Sequence, residues 1–305
     1  MPTLQEISSP QISGDVPFPP AVADQLKHRA KNLQMLPAVA MQALDLAKNP
    51  DCGINEFAAV VERDAALAAE ILKLSNSIMF AGGRSVMNLH QAVVRLGFRQ
   101  CKSLIIASSF SSMVKKLSLD EEWVREALYR HSFTTALLAL NLNRSLNVGF
   151  QGEEFTGGLI HDIGRMLLAT CYPDQFAQID PLNFEEGPET LAHEQSVIDT
   201  NHCDVGVWFA RNSQLPEPLI DVLRYHHSPE QAVNNRRFVA LITTCDDMAN
   251  HLHRVEEAAG YESQNNPGIR CLEEAGVRNA VSRLSEIAST LMDAAQRDVS
   301  EMLAM

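Results

Sequence analysis

Apolar residues recur along most of the chain at steps of three and four, the spacing of amphipathic helices, and the alternation of half-buried strands is nearly absent. The run Val124, Leu128, His131, Thr135 and Leu138 shows the pattern clearly. Because side chains at these steps project from one face of a helix, such stripes identify the faces that pack inward. The pattern predicts an all-α protein.

Capping residues, glycines and prolines divide this pattern into helices. Asp64 is placed to cap one helix, and Gly97 suits the position after a helix end. Ser118 and Glu121 have the spacing of a capping box. The polar segment 173–190 contains three prolines and is predicted to be an insertion or a lid. We predict helices over residues 21–33, 37–49, 57–61, 67–74, 89–96, 104–110, 118–138, 153–171, 191–198, 202–211, 217–227, 236–253 and 277–303.

Charge and cysteine usage narrow the class of protein. With 25 basic and 38 acidic residues, the formal net charge of −13 argues against binding to nucleic acid or to an anionic membrane. The six cysteines are far apart and form no CxxC pair, which is typical of a reducing compartment. No signal peptide and no apolar stretch long enough to span a bilayer is visible. We therefore expect a cytoplasmic protein.

Ionisable residues occur at several positions where a helical protein needs apolar ones. Each of them alone is best explained as a hydrogen-bonded core residue or a helix cap. Together, imidazoles and carboxylates that face one interior form a ligand set for a divalent transition metal, and we expect one or two ions of iron, manganese or zinc. Asp247 aligns with Thr243 and is expected to be solvated. The candidate metal ligands are His131, His161, Asp162, His202, His226, His227 and Asp246.

Several motifs resemble a known family. The segment GLIHDIGR at 158–165 resembles the HD motif of the HD metal-dependent phosphohydrolase superfamily. Further segments, in the same order along the chain, resemble the HDOD domain, the HD-related output domain of bacterial signalling proteins. These are LPAVA at 36–40, ERDAAL at 62–67, LKLSNS at 72–77, QAVVRLG at 91–97, HCDVG at 202–206 and YHHSP at 225–229.

The resemblance implies a two-lobed helical bundle. After a disordered leader over 1–20, it implies an N-terminal helical lobe over 21–117 and an HD-like metal-binding lobe over 118–254. A loop and a C-terminal helix over 255–305 complete the chain and are expected to pack back against one lobe.

The resemblance also implies roles for the candidate ligands. In the superfamily, positions that match His131, His161, Asp162 and Asp246 hold one metal ion. Two-metal members add histidines that match His202, His226 and His227, with the aspartate of the HD pair bridging the two ions.

Two functions remain open at this point. The resemblance favours a signal-transduction output protein that docks a signalling partner, and the complete ligand set favours a metal-dependent phosphohydrolase acting on a phosphomonoester or nucleotide. For the enzyme, Asp162 and Arg165 are the catalytic candidates, because Arg165 has the geometry to bind a phosphate, although a salt bridge explains it equally well. Ser228-Pro229-Glu230 follows the histidine doublet in place of the Gly-Tyr-Pro run of cyclic-di-GMP phosphodiesterases, which argues against that substrate.

Overall fold

The computed structural model describes residues 18–30, 33, 35–49, 51–76, 85–117, 119, 121–187 and 189–303. These residues are mostly helical and contain no β-strand, so the all-α prediction is confirmed. The predicted leader lies almost entirely outside the described residues. The α-helices are α1 (Pro20–Ala30), α2 (Ala38–Leu46), α3 (Ile54–Val61), α4 (Ala65–Asn76), α5 (Leu89–Val114), α6 (Glu122–Leu146), α7 (Glu153–Ile160), α8 (Ile163–Cys171), α9 (Phe176–Ile179), α10 (Thr190–Ile198), α11 (His202–Asn212), α12 (Glu217–Tyr225), α13 (Arg236–Val255), α14 (Pro267–Glu274) and α15 (Ala280–Leu303).

Two of the predicted helix signals act as expected. The Asp64 carboxylate accepts hydrogen bonds from the backbone N–H groups of Ala66 and Leu67, at 3.1 and 3.0 Å, and so caps α4. Gly97 has φ 77°, a left-handed conformation that interrupts α5 at the position predicted for a helix end. The capping box is wrong: α6 begins at Glu122 with no side-chain cap bond from Glu121, and Ser118 lies outside the described residues.

The helix predicted over 153–171 is two helices. Residues 161 and 162 separate α7 from α8, and Asp162 has the non-helical backbone angles φ −104° and ψ 18°. Periodicity did not reveal this break because the apolar residues on both sides keep helical spacing. The break turns the histidine and the aspartate of the HD pair toward one interior.

Two further boundaries differ from the prediction. Helix α12 ends at Tyr225, so His226 and His227 follow the helix instead of lying on its inner face. Helix α14 was not predicted, although Asn266 caps it by accepting a hydrogen bond of 2.9 Å from the Ile269 backbone N–H.

The helices pack as two lobes that share a continuous hydrophobic core. Helices α2 to α5 form the N-terminal lobe, and α5 contacts α7 in the second lobe. Helix α1, which the prediction assigns to the N-terminal lobe, packs on α8, where the Gln25 side chain donates a hydrogen bond of 2.6 Å to the Cys171 carbonyl. Helix α15 packs against α6, α13 and α14. Among the described residues, no helix has the length and apolar character needed to cross a membrane.

Candidate metal centre

The structure brings all seven predicted ligands into one buried cluster between α6, α7, α8, α11, α12 and α13. His131 lies within α6, and Asp246 lies within α13. His202 is the first residue of α11. The pair His161-Asp162 follows α7, and the pair His226-His227 follows α12. The ionisable side chains are therefore contributed by separate helices that the hydrophobic core holds together.

One set of ligand atoms surrounds a common point. His131 Nε2 lies 3.3 Å from His161 Nε2 and 3.1 Å from Asp246 Oδ1. His161 Nε2 lies 3.4 Å from the same Asp246 oxygen. Asp162 Oδ2 is 3.5 Å from both imidazole nitrogens.

A second set of ligand atoms surrounds the other carboxylate oxygen of Asp162, Oδ1. Asp162 Oδ1 is 3.3 Å from His226 Nε2 and 3.7 Å from His202 Nε2. His202 Nε2 is 3.3 Å from His226 Nε2 and 3.0 Å from His227 Nε2. Asp162 thus presents one oxygen to each set, which is the arrangement required of a bridging carboxylate.

These spacings fit metal coordination. Metal–ligand bonds of about 2.1 Å place neighbouring ligand atoms roughly 3.0 to 3.4 Å apart in octahedral or tetrahedral geometry. Asp162 Oδ1 is also buried without a hydrogen bond of good geometry. A buried carboxylate oxygen in that state calls for a cation. The residues present therefore fit one ion in each set.

Backbone and carboxylate acceptors fix the direction of three imidazoles. His161 Nδ1 donates to the Gly158 carbonyl at 2.8 Å, and His226 Nδ1 donates to the Val222 carbonyl at 3.0 Å. His202 Nδ1 lies 2.8 Å from a Glu194 oxygen. Since carbonyl and carboxylate oxygens only accept, the proton of each ring is on Nδ1 and the lone pair of Nε2 faces the cluster.

Electrostatics support the ionised state of both aspartates and the neutral state of two of the five imidazoles. Burial opposes the ionisation of Asp162, but its charged neighbours, His161 foremost, hold its pKa well below the usual range. Burial also opposes ionisation of Asp246, yet the hydrogen bonds of His131 and His161 lower its pKa strongly. Burial lowers the pKa of His131 and His227. Burial also opposes the protonation of His161, His202 and His226, but neighbouring acidic groups raise the pKa of all three. Ionised carboxylates and neutral imidazoles are the forms that bind metal. A cation bound here must therefore displace protons from these three rings.

A family model described as HDOD domain matches residues 33–229, well over half of the chain. The chain belongs to the HDOD domain family. An uncharacterized protein from Treponema pallidum (strain Nichols) is 24% identical over 208 residues, which is 68% of this chain and 40% of that protein. The HDOD chain therefore spans well under two thirds of that relative.

Solved structures share the fold. An HDOD domain protein with unknown function from Geobacter sulfurreducens superposes with a TM-score of 0.71 at 21% identity, over 92% of this chain and 98% of that one. A protein from Shewanella amazonensis SB2B, named "Putative metal-dependent phosphohydrolase", has a TM-score of 0.62 at 20% identity, over 92% and 96% of the two chains. At these identities the likeness shows the fold alone.

In this HDOD protein, Arg165 forms salt bridges with three carboxylates. Its guanidinium is buried and donates to Asp162 Oδ2 at 2.9 Å, to Asp180 Oδ2 at 2.7 Å and to Glu186. A second bond of 3.1 Å joins Nη2 to Asp180 Oδ1. Most of its donors are therefore occupied by carboxylates, and its role as a phosphate ligand stays a prediction.

The segment 173–190, predicted as an insertion or lid, lies against the cluster. The Phe184 ring stacks on His131 and on His253, with ring centroids 5.3 and 4.5 Å apart. The Phe184 carbonyl accepts a hydrogen bond of 2.6 Å from Arg254. Aromatic stacking and one charged donor thus hold this segment over the histidines.

Sequence reasoning missed several residues of the site. Asp180, Glu186 and Glu194 lie in polar stretches, where carboxylates are common on solvated surfaces, so composition gave no reason to select them. The spacing of the cysteines did not single out Cys203, whose Sγ lies 4.0 Å from His226 Nδ1. For Glu194, the available signal was its position in α10, the helix directly before His202 in the sequence.

The expectation for Asp247 is wrong. Its side chain is half-buried and accepts hydrogen bonds from the Tyr261 hydroxyl at 2.7 Å and the Asn266 amide at 3.0 Å. The undetected helix α14 explains the error, since its cap Asn266 covers this face of α13. Asp247 faces that contact, while Asp246 faces the ligand cluster.

Proposed function

We propose that the protein is a bacterial signal-transduction output protein of the HDOD type, which retains a centre for one or two divalent metal ions and acts mainly by docking a signalling partner. The observation that carries the proposal is a complete ligand cluster in an enclosed position. The His227 side chain, the most accessible of the ligands, is 10% exposed. Such a centre suits a structural or regulatory role better than rapid turnover of a substrate.

The donor atoms indicate which metals the centre would hold. Five imidazoles and two carboxylates favour iron, manganese or zinc over magnesium. Bound ions of this kind lower the pKa of coordinated water and polarise phosphoryl oxygens. The chain itself orients the imidazoles through their Nδ1 bonds, and Arg165 holds Asp162 Oδ2 in place. The cysteines are free and buried, which supports a reducing cytoplasm.

The N-terminal lobe carries the surface that we assign to the partner. Met87, just before α5, is 76% exposed, and Val94, within α5, is 62% exposed. Exposed apolar side chains favour a protein contact when they form a patch, and these two are seven residues, about two helical turns, apart along the chain. A partner with a complementary apolar patch fits this surface.

A metal-dependent phosphohydrolase is the second candidate. The two oxygens of Asp162, each facing a different ligand set, support it, because phosphoryl transfer by two-metal sites uses such a bridge. A phosphomonoester or nucleotide would be the substrate class. Ser228-Pro229-Glu230 after the histidine doublet argues against cyclic-di-GMP.

The two functions separate in a strain that lacks the gene and is complemented by variants. The double variant His161→Asn, Asp162→Asn removes ligands from both sets, and the surface variant Met87→Glu, Val94→Glu leaves the cluster intact. We expect the first variant, once circular dichroism shows it folded, to keep the partner and the phenotype, and the second to lose both. A folded ligand variant that keeps its partner but loses the phenotype contradicts the docking role and favours the enzyme.

A further inference from the structure

Glu186 reaches the cluster from the inserted segment between α9 and α10. Its side chain is only 8% exposed. One carboxylate oxygen pairs with Arg165. The other, Oε2, is buried and has no hydrogen-bond partner. The free oxygen is therefore directed into the protein and not toward solvent.

The free oxygen of Glu186 lies beside ligands of both sets. Oε2 is 3.4 Å from His227 Nε2, and one ligand atom each of Glu186, His227 and Asp246 lie within 4.8 Å of one another. His227 belongs to the set on Asp162 Oδ1, and Asp246 belongs to the set on Asp162 Oδ2. Glu186 is thus a second carboxylate, besides Asp162, that approaches both halves of the cluster.

The charges around Glu186 also favour a bound cation. The Arg165 guanidinium is shared among Asp162, Asp180 and Glu186, and Asp246 adds a further buried carboxylate nearby. Burial raises the pKa of Glu186 to about 8, as expected of a buried carboxyl that lacks a full counter-charge. A carboxylate oxygen within metal-ligand spacing of an imidazole is the arrangement that a bound ion resolves.

We infer that Glu186 is an additional metal ligand, supplied by the inserted segment, which takes the coordination position that an exchangeable water or a phosphoryl oxygen would otherwise occupy. This inference rests on the metal centre of the proposed function. In that centre, a side chain of the protein itself would block the position where a substrate could bind. The stacking of Phe184 on His131 and His253 keeps the segment in place. A metal centre blocked by Glu186 explains how the protein could keep all its metal ligands and still act by docking a partner.

The test compares Glu186→Gln with Glu185→Gln in the full-length protein loaded with Co²⁺, whose visible spectrum reports coordination. Glu185 is exposed, and its side chain accepts a hydrogen bond of 3.2 Å from the Asn183 amide, away from the ligand cluster, so it is a matched control. Each protein is titrated with inorganic phosphate. We expect Glu186→Gln to change the spectrum before phosphate is added and to bind phosphate at least about tenfold more tightly than the wild type and Glu185→Gln, because one ligand has been removed.

Elemental analysis tests the metal centre, and the cobalt spectrum tests the role of Glu186. If the wild type binds cobalt but Glu186→Gln has the same spectrum and phosphate response, the inference on Glu186 is wrong and the metal centre stands. If elemental analysis finds no metal in any folded protein, both are wrong. Glu186→Asp is a second variant, used if Glu186→Gln does not fold. It keeps the negative charge but has a shorter side chain that does not reach the metal, so we expect it also to bind phosphate. A phosphate-insensitive, wild-type spectrum in a folded Glu186→Asp variant likewise contradicts the inference.

Discussion

The close approach of α8 and α11 sets the position of His202, and Gly164→Ala tests this directly. A Cβ atom at Gly164 would lie 1.8 Å from the His202 carbonyl oxygen and 2.6 Å from its carbonyl carbon. Non-bonded atoms prefer separations of about 3.5 Å, so the backbone of His202 must withdraw by at least about 1 Å. Because the obstructing atoms belong to the backbone, no change of side-chain rotamer relieves the clash.

The expected magnitude follows from this displacement. Overpacking of a core costs about 1–3 kcal/mol, and the upper end applies where a helix must move. For a chain of 305 residues, a loss of about 3 kcal/mol lowers Tm by roughly 5 °C. Metal sites tolerate ligand errors of about 0.2 Å, so a shift of His202 by about 1 Å disrupts the set that it forms with His226 and His227.

Unfolding of the metal-free protein and the metal content of the loaded protein measure the two effects separately. Gly206→Ala is the matched control at the same helix pair, because the tightest contact of its Cβ would be a Leu223 methyl carbon at 3.1 Å, and the next atoms would lie at an ordinary 3.6 Å or more. A gain in helix propensity of about 1 kcal/mol offsets that contact. A Gly164→Ala protein that unfolds within about 0.5 kcal/mol of the wild type and binds the same amount of metal would refute this reasoning.

Other substitutions and assays give sharp outcomes. Asp162→Ala should cause the largest loss of metal of any single change, and less than about 0.2 ion per wild-type chain after reconstitution would contradict the metal centre itself. Asp247→Ala should keep its metal while losing about 1–3 kcal/mol of stability through unpaired Tyr261 and Asn266; loss of metal there would mean that the wrong aspartate is assigned. Glu194→Gln should weaken metal affinity by about 10- to 100-fold, measured by competition with a chelator, because it disturbs the Nδ1 bond of His202. Purified protein should leave cyclic-di-GMP unhydrolysed and act weakly, if at all, on a panel of phosphomonoesters; rapid turnover of either would contradict the docking role.

The local pattern of apolar and polar residues was sufficient to predict the fold class and the types of metal ligand. Helical spacing of apolar residues is a short-range property, so it identifies inward faces without knowledge of partners. His131 and Asp246 were selected in this way, each as a polar residue on an apolar stripe. The order of several motifs along the chain was enough to place the protein in the HDOD family.

Tertiary structure decided the geometry of the centre. The division of 153–171 at the HD pair, and the end of α12 before the histidine doublet, depend on contacts with other helices, which periodicity does not contain. Arg165 is buried because Asp180 and Glu186 lie around it, and those carboxylates come from a polar segment that resembles a solvated loop. Asp247 was misplaced for the same reason, since α14 covers its face of α13. Sequence alone identifies the apolar stripes that face inward. Only the packing of distant segments decides which polar side chains are buried and which of them meet, because the energy of a buried charge depends on its neighbours in space.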